Sequence, residues 1–366
     1  MPSDPTFRAR LRPLHLFPLA FALACSPEKP ADRPGESAAD SADTAPSGAE
    51  LAYVTNEGSG ELTVINTATD SVVSTIPVGT RPRGARVSAD GKTVFVALSG
   101  SPRCPPTMPD EECEKLKADK SKDGIGVIDV ATRKVTRVPP GGSDPEAFDI
   151  SKDGTRLFVS NEDADVATIV DIASGKVLAT VPVGKEPEGV ELHPEGKEVW
   201  VTGETDHDIT VLDTDSGKVI TKIGVGRRPR DLAFTDDGDR AYVTSEVEGT
   251  VAVVDARAHK VLRTIKLPEG AKPMGVAISH DGRKVYIANG RGKTVSVVDA
   301  ASDSVVGSVE VGVRPWGIAL SGDGRKLYSA NGPSNDVTVV NTETMRVEKK
   351  IPVGELPWGV VIGRAP

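Results

Sequence analysis

Little in this chain offers ready-made chemistry. Three cysteines and five scattered histidines give no metal or redox framework, and no CxxCH haem site, HExxH, GxSxG or P-loop sequence occurs. Aromatic residues make up only 4% of the chain. Positive charge is also in deficit: the net charge is -9 with a pI near 5.3, which leaves no general basic surface for counterion release and argues against DNA or RNA as a partner. The most apolar stretch, Leu14 to Leu23, is too short to cross a bilayer, which takes about 20 apolar residues.

That stretch follows Arg8, Arg10 and Arg12 and ends at Ala24 and Cys25, the charged, apolar and small-residue regions of a secretory signal. Ala22-Leu23-Ala24-Cys25 resembles a bacterial lipobox, which implies a signal peptide over 1–24 and acylation of Cys25. Several acyl chains, at about 0.8 kcal/mol per buried methylene, would hold such a protein on a membrane that nothing spans. Residues 25–50 are mainly Pro, Ala, Ser, Gly, Asp and Glu and cannot bury enough apolar surface to offset the entropy of ordering. They read as a tether, and the chain as an extracytoplasmic, membrane-anchored lipoprotein on the outer membrane, the cell surface or the periplasmic side.

From residue 51 the chain is periodic. A Pro-x-Gly phrase or a near variant recurs at Pro82, Pro145, Pro187, Pro229, Pro273, Pro315 and Pro357. Four of the six intervals are 42 residues, one is 44, and the first is 63 because it carries an insertion over about 100–122. A period of about 40–50 residues marks a repeat architecture. Within the unit from Lys272, four short runs rich in Val, Ile and Tyr are separated by turn residues, Asp281-Gly282 among them. The pattern predicts four antiparallel strands per unit. Seven such sheets around a channel make an all-β, seven-bladed β-propeller. Leu51 to Gly79 supplies three strands of a blade and Pro357 to Ile362 the fourth, so the two ends close the ring. Nothing in the pattern calls for an oligomer, and a monomer is expected.

Tyr53-Val54-Thr55-Asn56 together with the paired PxG and DG signals resembles the YVTN family of seven-bladed propellers, over about residues 51–362. The resemblance implies the fold and an extracytoplasmic habit. It does not imply a reaction, because similar propellers serve as surface-layer proteins, binding modules, lactonase-like enzymes and redox-enzyme subunits.

The residue inside each phrase is expected to ring the channel mouth. Arg83, Glu146, Glu188 and Arg230 make a charged arc; Met274, Trp316 and Trp358 make an apolar one. The inner strands are expected to turn Arg86, Asp149 and Glu191 into the channel. These three read either as an ion-paired wall around trapped water or as ligand-binding groups, and the tryptophans as rim packing or as a platform for a ring. The insertion leans over the same face as a lid, a docking loop or a plain surface loop. Outside the cytoplasm its Cys104 and Cys113 are expected to form a disulfide.

No metal or cofactor is expected. The leading expectation is a non-catalytic binding or scaffold module, not an enzyme, with a protein or small-molecule partner at the channel mouth. The alternatives are a lactonase-like hydrolase and an accessory subunit of a redox enzyme or cofactor pathway.

Overall fold

The computed structural model describes residues 48–103, 110–113 and 115–366. The signal peptide, most of the tether, Cys25 and Cys104 lie outside the described residues, and so does the expected disulfide. Among the described residues, 28 strands form seven four-stranded antiparallel sheets. No helix there is long and apolar enough to cross a membrane. The innermost strands are Ala85–Val87, Pro145–Ile150, Pro187–Leu192, Pro229–Phe234, Pro273–Ile278, Pro315–Leu320 and Pro357–Arg364. The last of these pairs with Glu50–Asn56, Tyr53 opposite Val361, so the C-terminal strand completes the blade begun at the N-terminal end. This is the expected ring closure, and the fold is an all-β seven-bladed propeller.

The core lies between the blades. The second strands alternate apolar side chains onto both neighbouring sheets and are almost wholly buried, as in Arg240–Ser245 and Lys284–Asn289. The third strands end in Asp or Asn because that side chain closes the next turn: Asp299 accepts from Ser302 N at 2.8 Å, and Asp171 from Ser174 N at 2.7 Å.

The repeated phrase has a mechanical reason. At Pro187, as at the corresponding prolines of five other blades, the inner strand bulges: Pro187 pairs with Gly203, the next two residues find no ladder partner, and pairing resumes at Val190. The glycine slot is needed because neighbouring inner strands nearly touch. A Cβ on Gly275 would stand 2.4 Å from the carbonyl oxygen of Trp316. The bulge also leaves a backbone N–H without a ladder partner, and in four blades a hydroxyl from the second strand takes it. Thr202 Oγ1 accepts from Gly189 N at 2.8 Å, and Thr244 Oγ1 accepts from Asp231 N at 3.1 Å. The same hydroxyls donate into the next blade, Thr244 to Met274 O at 2.6 Å, Ser160 to Glu188 O at 2.7 Å and Thr55 to Arg83 O at 2.7 Å. The threonine of Tyr-Val-Thr-Asn is thus a staple between blades.

Candidate functional site at the channel mouth

The inner strands enclose a cavity of about 460 Å³, lined among others by Glu188, Arg230, Met274, Trp316 and Trp358 of the Pro-x-Gly phrases. Of the residues expected to enter it, Arg86 and Glu191 line it directly, and Asp149 stands behind them. Arg86 donates to Asp149 Oδ1 through Nε at 3.2 Å and to Glu191 Oε2 through Nη2 at 2.8 Å. Asp149 is fixed in turn by Ile150 N and Leu192 N, both at 2.8 Å. The side chains of Arg86 and Glu191 keep 30% and 31% of their exposure, so both can be reached from the cavity.

A fourth member was not anticipated. Asp231 also lines the cavity, its carboxylate accepting from Leu232 N at 2.9 Å and Val276 N at 3.1 Å. The signal was present in the sequence: in Pro229-Arg230-Asp231 an aspartate stands where most repeats have glycine. Alternation along the strand does not find it, because the bulge interrupts the period of two.

Three carboxylates and one guanidinium therefore share this end of the channel. Burial disfavours charge on Arg86, but Asp149, Glu191 and Asp231 outweigh that and hold its pKa above the ordinary arginine value. Burial pushes Glu191 well above the usual carboxylate range; Arg86 offsets this only in part, while Asp149 and Asp231 add repulsion. Asp231 is raised to about 6, chiefly by burial. Glu191 is the carboxylate best placed to exchange a proton with something in the cavity, because only its Oε2 is held by Arg86.

The charged arc of the rim is largely closed on itself. Arg83 pairs with Asp144, Glu146 and Glu162, and Arg230 with Glu188, with Glu204 at 2.6 Å and with Glu246 at 2.8 Å. Arg83, Glu146 and Glu188 are buried. Burial, with repulsion from Glu188, raises Glu162 to about 7. The apolar arc divides. Met274 is buried, whereas Trp316 and Trp358 remain half-buried, lining the cavity with their ring centroids 6.1 Å apart. Arg314 lies over Trp316 at 4.8 Å, where burial lowers its pKa and Arg230, Arg291 and Arg228 add to the effect despite Glu246.

The described part of the insertion is seated on this rim. Asp123 accepts from Gly100 N at 2.7 Å and from Asp144 N at 3.0 Å, and Lys120 pairs with Asp163. Residues Asp110–Cys113 form one helical turn. No group of three or more metal-binding side chains gathers among the described residues.

Residues 217–355 match the family described as lactonase, 7-bladed beta-propeller, and residues 110–194 match the YNCE-like beta-propeller family. No match is found among curated proteins. Among solved structures, the chain is similar to a periplasmic gluconolactonase of Pseudomonas aeruginosa, at 20% identity and a TM-score of 0.67 over 87% of this chain and 99% of that one. A Bacteroides fragilis protein provisionally assigned as a 6-phosphogluconolactonase shares 19% identity, with a TM-score of 0.70 over 88% and 99% of the two chains. Hydrazine synthase of Kuenenia stuttgartiensis shares 20%, with a TM-score of 0.67 over 79% and 92%. These matches overturn the expectation that the chain is not an enzyme and favour the hydrolase alternative over the non-catalytic module. The protein is a seven-bladed propeller whose similarities run to the lactonase propellers.

Proposed function

We propose that this protein is a lactone hydrolase acting in the channel beneath the Pro-x-Gly face. The observation that carries the reading is the cavity grouping of Arg86, Asp149, Glu191 and Asp231, in a chain of which residues 217–355 match a lactonase family. Opening a lactone adds water to the ring carbonyl and breaks the ring C–O bond. Arg86, kept charged by its carboxylates, faces the carbonyl oxygen and stabilises the oxyanion as it forms. Glu191, its pKa brought toward neutrality, takes a proton from the attacking water and returns it to the departing ring oxygen. Asp149 and Asp231, anchored by backbone N–H groups, set the position and field of these two. Trp316 and Trp358 bound the side on which a ring would rest.

The setting proposed is outside the cytoplasm, on a lipid anchor at Cys25. A periplasmic gluconolactonase among the similar structures supports that placement. The test is hydrolysis of a panel of sugar and alkyl lactones by the full chain, with Arg86→Met and Glu191→Gln as variants. Both variants are expected to lose on the order of 10²-fold or more in kcat/KM while melting as cooperatively as the parent. Full activity in a folded Glu191→Gln protein, or no turnover of any lactone by the parent, overturns the proposal.

A further inference from the structure

The channel cavity is two-sided. Its charged groups, Arg86, Glu188, Glu191, Arg230 and Asp231, come from the inner strands Ala85–Val87, Pro187–Leu192 and Pro229–Phe234. From Pro273–Ile278, Pro315–Leu320 and Pro357–Arg364 it receives only apolar side chains, among them Met274, Val276, Trp316, Ile318 and Trp358. The two indole N–H groups are the only polar side-chain groups on that half. Arg314 lies over Trp316 but does not line the cavity. The division starts in the repeated phrase: where one repeat places Asp231 in the glycine slot, these three keep Gly275, Gly317 and Gly359. A Cβ on Gly317 would stand 2.9 Å from Gly359 Cα, so a polar side chain cannot enter that slot without parting the strands.

Little hydrogen-bonding capacity is left on the charged half. Glu188 and Arg230 pair with each other, and Arg230 also with Glu204 and Glu246. The Asp231 carboxylate accepts from Leu232 N and Val276 N. Arg86 and Glu191 remain open to the cavity, and lactone opening occupies both, one on the carbonyl oxygen and the other on the attacking water. A sugar lactone seated against them would press its hydroxyls on a wall whose side chains offer only two indole donors. Each hydroxyl stripped of water without a partner is costly. A hydrocarbon group meets no such cost there and gains by leaving water. A cavity of about 150 Å³ holds benzene, so about 460 Å³ has room for a lactone ring and an alkyl chain.

We propose that the lactone opened in this channel carries a hydrocarbon substituent, its chain along the apolar half beside Trp316 and Trp358. Water adds to the ring carbonyl carbon, the ring C–O bond breaks, and the proton taken from the water returns to the ring oxygen. The product is an alkyl hydroxy acid. This assignment rests on the lactone hydrolase reading and narrows it to alkyl-substituted over sugar lactones.

The test compares δ-decanolactone, unsubstituted δ-valerolactone and glucono-δ-lactone, which share one ring, as substrates of the full chain, each rate corrected for spontaneous hydrolysis. The value of kcat/KM is expected to be on the order of 10²-fold higher for δ-decanolactone than for either of the others. In Trp358→Ala the preference for δ-decanolactone over δ-valerolactone is expected to shrink about tenfold. The uncleavable lactam with the same pentyl chain, titrated against tryptophan fluorescence, should bind about tenfold or more tightly than the chainless lactam. No turnover of any lactone overturns the hydrolase reading, and the lactams then still report whether the apolar half takes the chain. Turnover of glucono-δ-lactone at least as efficient as that of δ-decanolactone overturns the substrate proposal alone. So does an undiminished preference in Trp358→Ala, or equal affinity for the two lactams.

Discussion

Asp231 shows how one side chain sets the proton chemistry of another. Its negative charge lies close enough to Glu191 to help raise that group's pKa. Asp231→Asn keeps the shape and removes the charge, so Glu191 should titrate lower. The limb of the kcat/KM against pH profile governed by Glu191 is therefore expected to move to lower pH, by up to about one unit. An unmoved or upward-shifted profile would refute the coupling. The residue scale is also where reading the sequence succeeded and then stopped. Arg86 and Glu191 were legible as channel residues from strand alternation, with Asp149 beside them. Asp231 was not, because the bulge after Pro229 breaks that alternation at the position it occupies. Nor could the rim be read as a network. That Arg83 and Arg230 each hold three carboxylates depends on Asp144, Glu162, Glu204 and Glu246, which come from other strands and loops and carry no mark in the phrase itself.

Among the elements, the second strand of four blades does more than pair with its neighbours. Thr244 is fully buried and joins the bulge of its own blade to the inner strand of the next. Thr244→Val preserves volume but leaves Asp231 N and Met274 O without this partner. The expected loss is about 2 kcal/mol, read as a shift in urea midpoint at constant slope. Thr55, Thr202 and Ser160 occupy the same place, so their variants should fall in the same range. An unchanged midpoint for Thr244→Val would show that the staple adds nothing beyond shape. Strands and turns were readable because their signals are local: alternation, Asp-Gly, and Asp or Asn closing the third strand. The staple was not, since its partners lie about 30 residues on, across a blade boundary.

At the scale of the whole molecule, buried acids give stability a pH dependence with two opposing limbs. Glu162, at about 7, and Asp231, at about 6, are raised by burial, and Glu188 is pushed up in the same way despite Arg230. Groups raised in the fold contribute fully below their unfolded values, near 4, and lose that contribution as pH rises through the folded values. Asp144 and Glu246 behave oppositely: burial works against them, but Arg83 and Ser99 hold the first low and Arg230 the second. Their contribution is present above the unfolded values and is lost as pH falls through the folded ones. The melting temperature is therefore expected to peak in mildly acidic solution and decline toward pH 8. A Glu162→Gln, Glu188→Gln double variant should flatten that decline, and an equally steep decline in the variant would remove these acids as its cause. Closure was legible from the count of repeats, and it reaches beyond stability. Thr55 hydrogen-bonds Gly359, 304 residues further along the chain. A chain synthesised from its N-terminal end must carry Glu50–Asn56 with one edge bare until Pro357–Arg364 emerge. A copy lacking Pro357–Arg364 keeps that sticky edge, which marks it for aggregation or proteolysis, so the pairing of this one strand reports whether the ring has closed.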